Sequence, residues 1–322
     1  MTLNIATIVV HYYTKMPKVL LSVAGPTGIG KTALAIAIAK SLQTEIISAD
    51  SRQFYEEMRI GTAVPTADEL SQVKHHFIQH RSIHESYSVG TFREDALDLL
   101  QDLFKTHDTV VMVGGSGLYL DAVTQGLDDF PVVEPGIREH LIKQFQEGGL
   151  NELQELLKKH DSEYYRQVDL QNPHRLIRAL EVCLSSGQPF SSFVGNRKAP
   201  NFFLHLPIGL TAPREIIYKR IEARVDQMLA EGLLEEVRAL FPFQHLNALQ
   251  TVGYQELFRY LEGEITLEMA ISLIKQNTRR FAKRQGTWFR RHQDILWFDR
   301  DSTKDLILDR VHTALKSLEH AE

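Results

Sequence analysis

Short apolar runs alternate with segments of helical spacing along the first half of the chain. "KVLLSVA" (18–24) is a continuous apolar run, the pattern of a strand buried on both faces. A Gly-rich turn follows, then "TALAIAIAKSL", whose Ala, Leu and Ile content predicts a helix. "TEIISAD" predicts a second short strand ending at Asp50. The stretch 56–90 is polar, carries "IGTAVPT" and "VKHHFIQH", and reads as loops. In "TFREDALDLLQDLFKT" (91–106) the apolar positions Phe92, Ala96, Leu97, Leu100, Leu103 and Phe104 recur at helical spacing. "TVVMVGGSGLYLDAV" then predicts a strand, a Gly-rich turn and a helix. Strands alternating with helices predict an α/β fold, a parallel sheet with helices on both faces.

The pattern changes near residue 127. "LDDFPVVEPG" is a Pro- and Gly-bearing break, and "IREHLIKQFQEGG", "LNELQELLKKH" and "NPHRLIRALEVCLSSG" are helical with almost no strand signal. Residues 127–200 therefore read as an all-helical insertion domain. Strand character returns in "NFFLHLPIGL" (201–210), helices broken near Gly232 follow, and "ILWFD" predicts a last short strand. The expected layout is a core formed by 17–126 and 201–322 with basic C-terminal helices, the insertion lying between. Residues 1–16, "MTLNIATIVVHYYTKM", are expected to be a disordered extension, with Met16 a second candidate start.

Composition narrows the class. With 322 residues, 43% apolar and 24% charged, the chain is made up like a soluble globular protein with a sizeable core. Cys183 is the only cysteine, which excludes an internal disulfide and a cysteine zinc site and suits a reducing cytoplasm. The N-terminus lacks a basic start and a small-residue cleavage site, so secretion is not expected. No run reaches the ~18 apolar residues of a membrane span. The net charge of −5 argues against a nucleic-acid surface overall, but the charge is unevenly placed. "KQNTRRFAKRQGTWFRR" (275–291) holds seven Lys or Arg and no acid, a footprint that suits a phosphate backbone.

"GPTGIGKT" (25–32) satisfies the phosphate-loop pattern G-x-x-x-x-G-K-[ST] between a strand and a helix. Gly25, Gly28 and Gly30 let backbone N–H groups turn inward around an anion, and the helix N-terminus adds partial positive charge. Pro26, Thr27 and Ile29 complete the loop, Lys31 reaches phosphate oxygens, and Thr32 can place its hydroxyl on Mg²⁺. The expected core is P-loop NTPase-like, and the pattern fixes phosphate binding without fixing the phosphate compound. Asp50 ends the strand beside the loop, where strand ends of a parallel sheet face the binding crevice. A general base, a helix cap and an outer contact to magnesium are all compatible with its position.

"VGGSGLY" (113–119) supplies Gly114, Gly115 and Gly117 for close approach and Ser116 for a hydroxyl, or is a plain strand-to-helix turn. Arg220 and Arg224 lie one helical turn apart. Arg224 suits a diphosphate clamp, whereas Arg220 reads as a solvated residue near Glu222 or Asp226. The basic stretch interleaves Phe281, Trp288 and Phe289 with its charges. That combination suits RNA, or an amphipathic helix whose aromatics face the core. His75 and His76 have no carboxylate or cysteine close in sequence to complete a metal site, and read as structural.

In this order, "GPTGIGKT", "SADSRQFY", "IGTA", "HHFI", "VGGSGLY", "NPHRLIRALEV", "TVGYQE" and "KRQGTWFR" resemble the bacterial tRNA dimethylallyltransferases, also called tRNA isopentenyltransferases. The resemblance runs from about residue 18 to 300. It implies a P-loop core, a helical insertion that grips the anticodon stem, and a reaction without ATP. In that reaction a dimethylallyl group passes from dimethylallyl diphosphate to the N6 amine of adenosine 37, in tRNAs reading codons that begin with U. Carried onto this chain, the resemblance implies that residues 25–32 hold the diphosphate and Mg²⁺ through Lys31 and Thr32. Asp50 is then the general base, with Thr27 and Arg224 as further catalytic groups.

The tRNA contacts it implies are Asp50, Ser51, Arg52 and Gln53; Ser116; Gln171, Asn172, Pro173, His174 and Arg175; and Lys283, Arg284, Gln285, Trp288 and Arg290. A cytoplasmic prenyltransferase is implied, with tRNA and dimethylallyl diphosphate as partners, no membrane and no stable protein partner. Ser116 stands where the family often has Thr, which keeps the hydroxyl. Lys74 and Gln79 replace a usual Pro and Asp around the histidine pair, and "EEMRIGTAVP" replaces the commoner "RGMDIGTAKP". No catalytic group is removed by these departures. A small-molecule or nucleoside P-loop kinase explains the loop and Asp50 equally well, but leaves the basic stretch and the insertion without a role.

Overall fold

The structure, a computed structural model, describes residues 17–319. The stretch 1–16, expected to be an extension, lies outside the described residues. In chain order the first elements are β1 (Val19–Ala24), α1 (Lys31–Leu42), β2 (Ile46–Ser48), α2 (Ala67–Gln72), β3 (His75–His76), α3 (Val89–Leu103), β4 (Thr109–Val113) and α4 (Gly117–Thr124). The helices α5 (Ile137–His160), α6 (Ser162–Gln167) and α7 (Pro173–Ser186) follow. The chain ends with β5 (Leu204–Thr211), α8 (Arg214–Ala230), α9 (Leu233–Leu240), α10 (Tyr254–Leu261), α11 (Leu267–Phe289), β6 (Leu296–Asp299) and α12 (Lys304–Glu319).

Six strands form one sheet in the order β3-β2-β4-β1-β5-β6, and every pairing is parallel. Successive side chains of a strand point to opposite faces. Leu20, Val110 and Met112 therefore pack on one face with Phe92, Ala96 and Leu100 of α3 and Tyr254 and Leu257 of α10. Leu21, Val23 and Val111 pack on the other with Leu34 and Ile38 of α1, Ile221 of α8 and Val311 of α12. Both faces are covered, which is why β1 reads as an unbroken apolar run: all six of its residues are buried.

One segment departs from the reading as loop. His75 and His76 form the edge strand β3, paired with Ile46 and Ile47 of β2. A two-residue strand is too short to show periodicity, and polar anchors hold it instead. His75 Nδ1 bonds the Val73 carbonyl, and the carboxylate that the local sequence lacks arrives from Glu45, which pairs with Lys74 and His76.

The chain divides into two compact units, residues 124–200 and the remainder. In the helical unit, Leu141, Leu153, Leu157, Leu176, Ile177 and Leu180 form the core. Its two buried acids are satisfied: Asp161 accepts from Tyr164 N, Ser191 N and Ser191 Oγ, and Glu181 pairs with Arg138 at 2.7 Å.

Two histidines of the sheet unit make its stability depend on pH. His80 sits among Phe54, Phe77 and Tyr87 with both ring nitrogens buried and unpartnered, and burial pushes its pKa down to about 4. His205, bonded to Ser22 Oγ, is likewise pushed down to about 4 by burial. An unfolded histidine titrates near 6.5, so between about 6.5 and 4 the unfolded state binds more protons. Stability is expected to be full above that window and to fall as pH drops through it. Each histidine is expected to account for about 1 kcal/mol or more, roughly 2–4 °C of Tm at this size. His80→Phe, which keeps a ring in the aromatic cluster, is expected to flatten the fall in melting scans from pH 7.5 to 4.

Candidate active site

Three loops leave one edge of the sheet side by side, because Val23 and Ser48 both pair with Val113. Residues 25–30 follow β1, 49–53 follow β2 and 114–116 follow β4. Their approach requires glycine at two places. Gly25 has φ 146°, and a Cβ there would lie 2.9 Å from the Leu210 carbonyl oxygen; a Cβ on Gly114 would collide with the Ala49 carbonyl.

Between these loops and α8 lies a cavity of about 750 Å³. Thr27, Gly28, Gly30, Lys31 and Thr32 line it from the first loop and the start of α1. Asp50 and Gln53 line it from the second loop, Gly114 and Gly115 from the third, and Arg220 and Arg224 from α8. The phosphate loop thus divides by position. Gly25 shapes the backbone, Ile29 is 1% exposed and belongs to the core, and Pro26 has no N–H to give. The Pro26 carbonyl instead accepts from Lys31 Nζ at 2.9 Å.

The cavity carries an excess of positive charge. Burial pushes Lys31 down to about 8, Asp50 draws it back up, and Arg224 pushes it further down. Burial also lowers Arg224, with Asp50 opposing. Lys31, Arg59, Arg220 and Arg224 line the cavity against Asp50, Glu69 and Glu231, a balance that suits an anionic ligand. Arg224 Nη1 reaches Thr27 Oγ1 at 3.4 Å, which brings Asp50, Thr27 and Arg224 to one cavity.

Asp50 is not a helix cap, since a turn follows it rather than a helix. Its Oδ1 accepts the Arg52 N–H at 3.1 Å, and its other oxygen has no hydrogen-bond partner among the described residues. Ser116 Oγ accepts the Ser51 N–H and donates to Ser51 Oγ, both at 3.2 Å, so the third loop fastens the residue beside Asp50. Gln53 Nε2 donates to the carbonyls of Thr62 and Ala63 at 3.2 and 2.9 Å.

Arg220 is exposed, as expected, but its partner is neither Glu222 nor Asp226. Its Nε donates to the Gly28 carbonyl at 2.6 Å, while Glu222 pairs with Arg279 and Asp226 with Lys275.

The residues that the resemblance assigns to tRNA fall into two groups. Lys283 and Arg284 on α11 and Arg290 just past its end are exposed, with Arg284 lying over the Phe281 ring at 5.7 Å. Gln171, His174 and Arg175 are exposed on the helical unit. The others are engaged within the protein. Arg52 Nη1 donates to the carbonyls of Asn247 and Ala248, both at 3.0 Å. Asn172 caps α7 by accepting the Arg175 N–H, and Pro173 occupies its first turn. Trp288 donates its indole N–H to Asp121 at 2.9 Å, so the inward-facing alternative holds for that ring. Gln285 is buried, with both ends of its amide bonded to the loops.

One contributor to the site, Glu236, escaped the sequence reading. It accepts the N–H groups of Arg59, Ile60 and Gly61 at 3.0, 2.7 and 2.9 Å, and the Tyr254 hydroxyl at 2.6 Å. It thereby pins a wall of the cavity. Tyr254 lies in the noted "TVGYQE", but no local pattern couples it to Glu236. The resemblance names Gln285 for tRNA; its bonds to the two loops are what no local pattern foretells.

Among the described residues no group of three or more His, Cys, Asp or Glu forms a metal cage. The oxygen donors lining the cavity include the Thr32 hydroxyl and the carboxylates of Asp50, Glu69 and Glu231. Hard oxygen donors of this kind fit Mg²⁺, which keeps several waters and shares its shell with phosphate oxygens.

Fold and cavity together define a P-loop-like α/β protein whose cavity suits an anionic ligand beside a carboxylate. The model of the IPP transferase family matches residues 53–292. A tRNA dimethylallyltransferase of Christiangramia forsetii is 54% identical, covering 94% of this chain and 100% of that protein. Another, of Flavobacterium johnsoniae, is 49% identical over 93% of this chain and 99% of its own length. Among solved structures, the full-length tRNA isopentenylpyrophosphate transferase of Bacillus halodurans matches with TM-score 0.69 and 36% identity, covering 94% of this chain and 97% of that one. The chain belongs to the IPP transferase family.

Proposed function

We propose that this chain transfers the dimethylallyl group of dimethylallyl diphosphate to the N6 amine of adenosine 37 in tRNAs reading UNN codons, releasing diphosphate in the cytoplasm. The observation that carries the reading is the shared cavity. Lys31, Arg224 and Thr27 face Asp50 across it, in a chain whose relatives are named for this transfer. The exposed cations of α11 and of the helical unit supply contacts for the RNA backbone.

An adenine amine is a weak nucleophile, so two kinds of help are needed. Lys31 and Arg224 stabilise the negative charge that gathers on the diphosphate as the allylic C–O bond breaks and its electron pair leaves with oxygen. Asp50, one of whose carboxylate oxygens has no hydrogen-bond partner among the described residues, accepts the amine proton as the N6–C bond forms. Thr32 would hold Mg²⁺, which would supply further charge neutralisation at the leaving group. The adenosine must leave its stack to reach the cavity, at a cost of a few kcal/mol, which the RNA contacts offset.

Relatives named dimethylallyltransferase do not favour the kinase alternative. Titration with dimethylallyl diphosphate and, separately, with ATP tests the reading. The prenyl diphosphate is expected to bind tightly in Mg²⁺, with ATP binding more weakly and remaining intact. Tight ATP binding with turnover would favour the kinase.

A further inference from the structure

Gln285 lies on the inner side of α11, 7% exposed, while Lys283 and Arg284 of the same helix are open to solvent. A glutamine so buried needs partners for both ends of its amide, and it has them. Its Oε1 accepts the Thr27 N–H at 2.8 Å, and its Nε2 donates to the Gly115 carbonyl at 2.8 Å. One side chain thus bridges the phosphate loop and the loop after β4. A Cβ on Gly115 would collide with that amide, so the close approach depends on glycine. One turn further along, Trp288 anchors the helix to Asp121 of α4, which holds Gln285 at a fixed height against both loops.

The bridged residue is the one whose hydroxyl meets Arg224 at 3.4 Å. With its N–H committed to Gln285, Thr27 gives no amide to a phosphate, and what the contact provides is placement. We infer that Gln285 is a positioning residue for the transfer. It sets the Thr27 hydroxyl, and with it the Thr27–Arg224 contact, against the loop that fastens Ser51 beside Asp50, and it does not contact RNA as its exposed neighbours do. This rests on the transfer reading given above.

An RNA contact and a strut between loops differ in what they change. Loss of an RNA contact weakens RNA binding, whereas loss of the strut lowers kcat at saturating RNA and donor. Residues that act through one another also give non-additive losses in a double-mutant cycle.

The test compares the unsubstituted protein, Gln285→Met, Thr27→Ala and the double variant, with an anticodon stem-loop RNA and dimethylallyl diphosphate. Gln285→Met is expected to bind the RNA within about twofold of the unsubstituted protein and to lose about tenfold or more in kcat. The double variant is expected to lose little beyond the larger of the two single losses. Gln285→Asn, one methylene too short to bridge both loops, is expected to repeat the kcat loss and carries the test should the Met variant unfold. Unchanged kcat, losses that multiply in the double variant, or weakened RNA binding with kcat intact would each overturn the inference. Absence of transfer by the unsubstituted protein would overturn the transfer reading and the inference together, and is told apart by that control alone.

Discussion

Asp50→Ala is expected to lower the rate of transfer by roughly 10²–10⁴-fold, the range a positioned general base contributes, while RNA binding stays within a few-fold. The carboxylate has two separable jobs. Its Oδ1 holds the Arg52 N–H and so shapes the turn after β2. Its other oxygen has no partner among the described residues and lines the cavity. Asp50→Asn separates the two, because an amide oxygen still accepts from Arg52 but an amide cannot take up a proton at neutral pH. Both variants are therefore expected to be equally slow in single-turnover transfer at saturating RNA and donor. An Asn variant close to the unsubstituted rate would show that the turn, not proton transfer, is what Asp50 provides.

Lys31→Met is expected to lower kcat/KM for the prenyl diphosphate by about 10²–10³-fold, the scale of losing one charge-stabilising donor from a dry site. The same lysine gives the donor step a pH signature. Burial holds Lys31 at about 8, with Asp50 pulling upward and Arg224 downward. Above that pH the empty site loses a positive charge. The donor's kcat/KM is expected to fall as pH rises from 8 to 9.5, since kcat/KM reports ionisations of the free enzyme. At saturating donor, kcat is expected to fall less, because a bound diphosphate keeps the lysine protonated. A kcat/KM for the donor that stays flat to pH 9.5 would remove Lys31 from the cavity's charge balance.

The alternation of apolar runs and helical spacing made the sheet legible. β1, β2 and β4 each end in a glycine loop or an acid, and their chemistry lies at those ends. The two-residue strand β3 was not legible, because His75 and His76 are held by Glu45 and a backbone carbonyl rather than by an apolar pattern. Within the site, sequence reveals which residue types gather near the loops but not which way each side chain turns. The basic stretch is the clearest case. Five of its charges are exposed and Lys275 and Arg279 are paired with acids of α8, yet Ala282, Gln285 and Phe289 form a buried face at helical spacing. A glutamine in that face reads as surface until the loops that satisfy it are in view. Arg52 is similar: its carbonyl partners lie 195 and 196 residues away in sequence.

The most direct measurement incubates the protein with Mg²⁺, radiolabelled dimethylallyl diphosphate and an unmodified UNN-reading tRNA, beside the same tRNA with guanosine at position 37. Label entering the first RNA on adenosine N6, one diphosphate released per label, and none entering the second is the predicted result. No label in either RNA, with ATP consumed when supplied instead, would contradict the assignment of the cavity to a prenyl diphosphate.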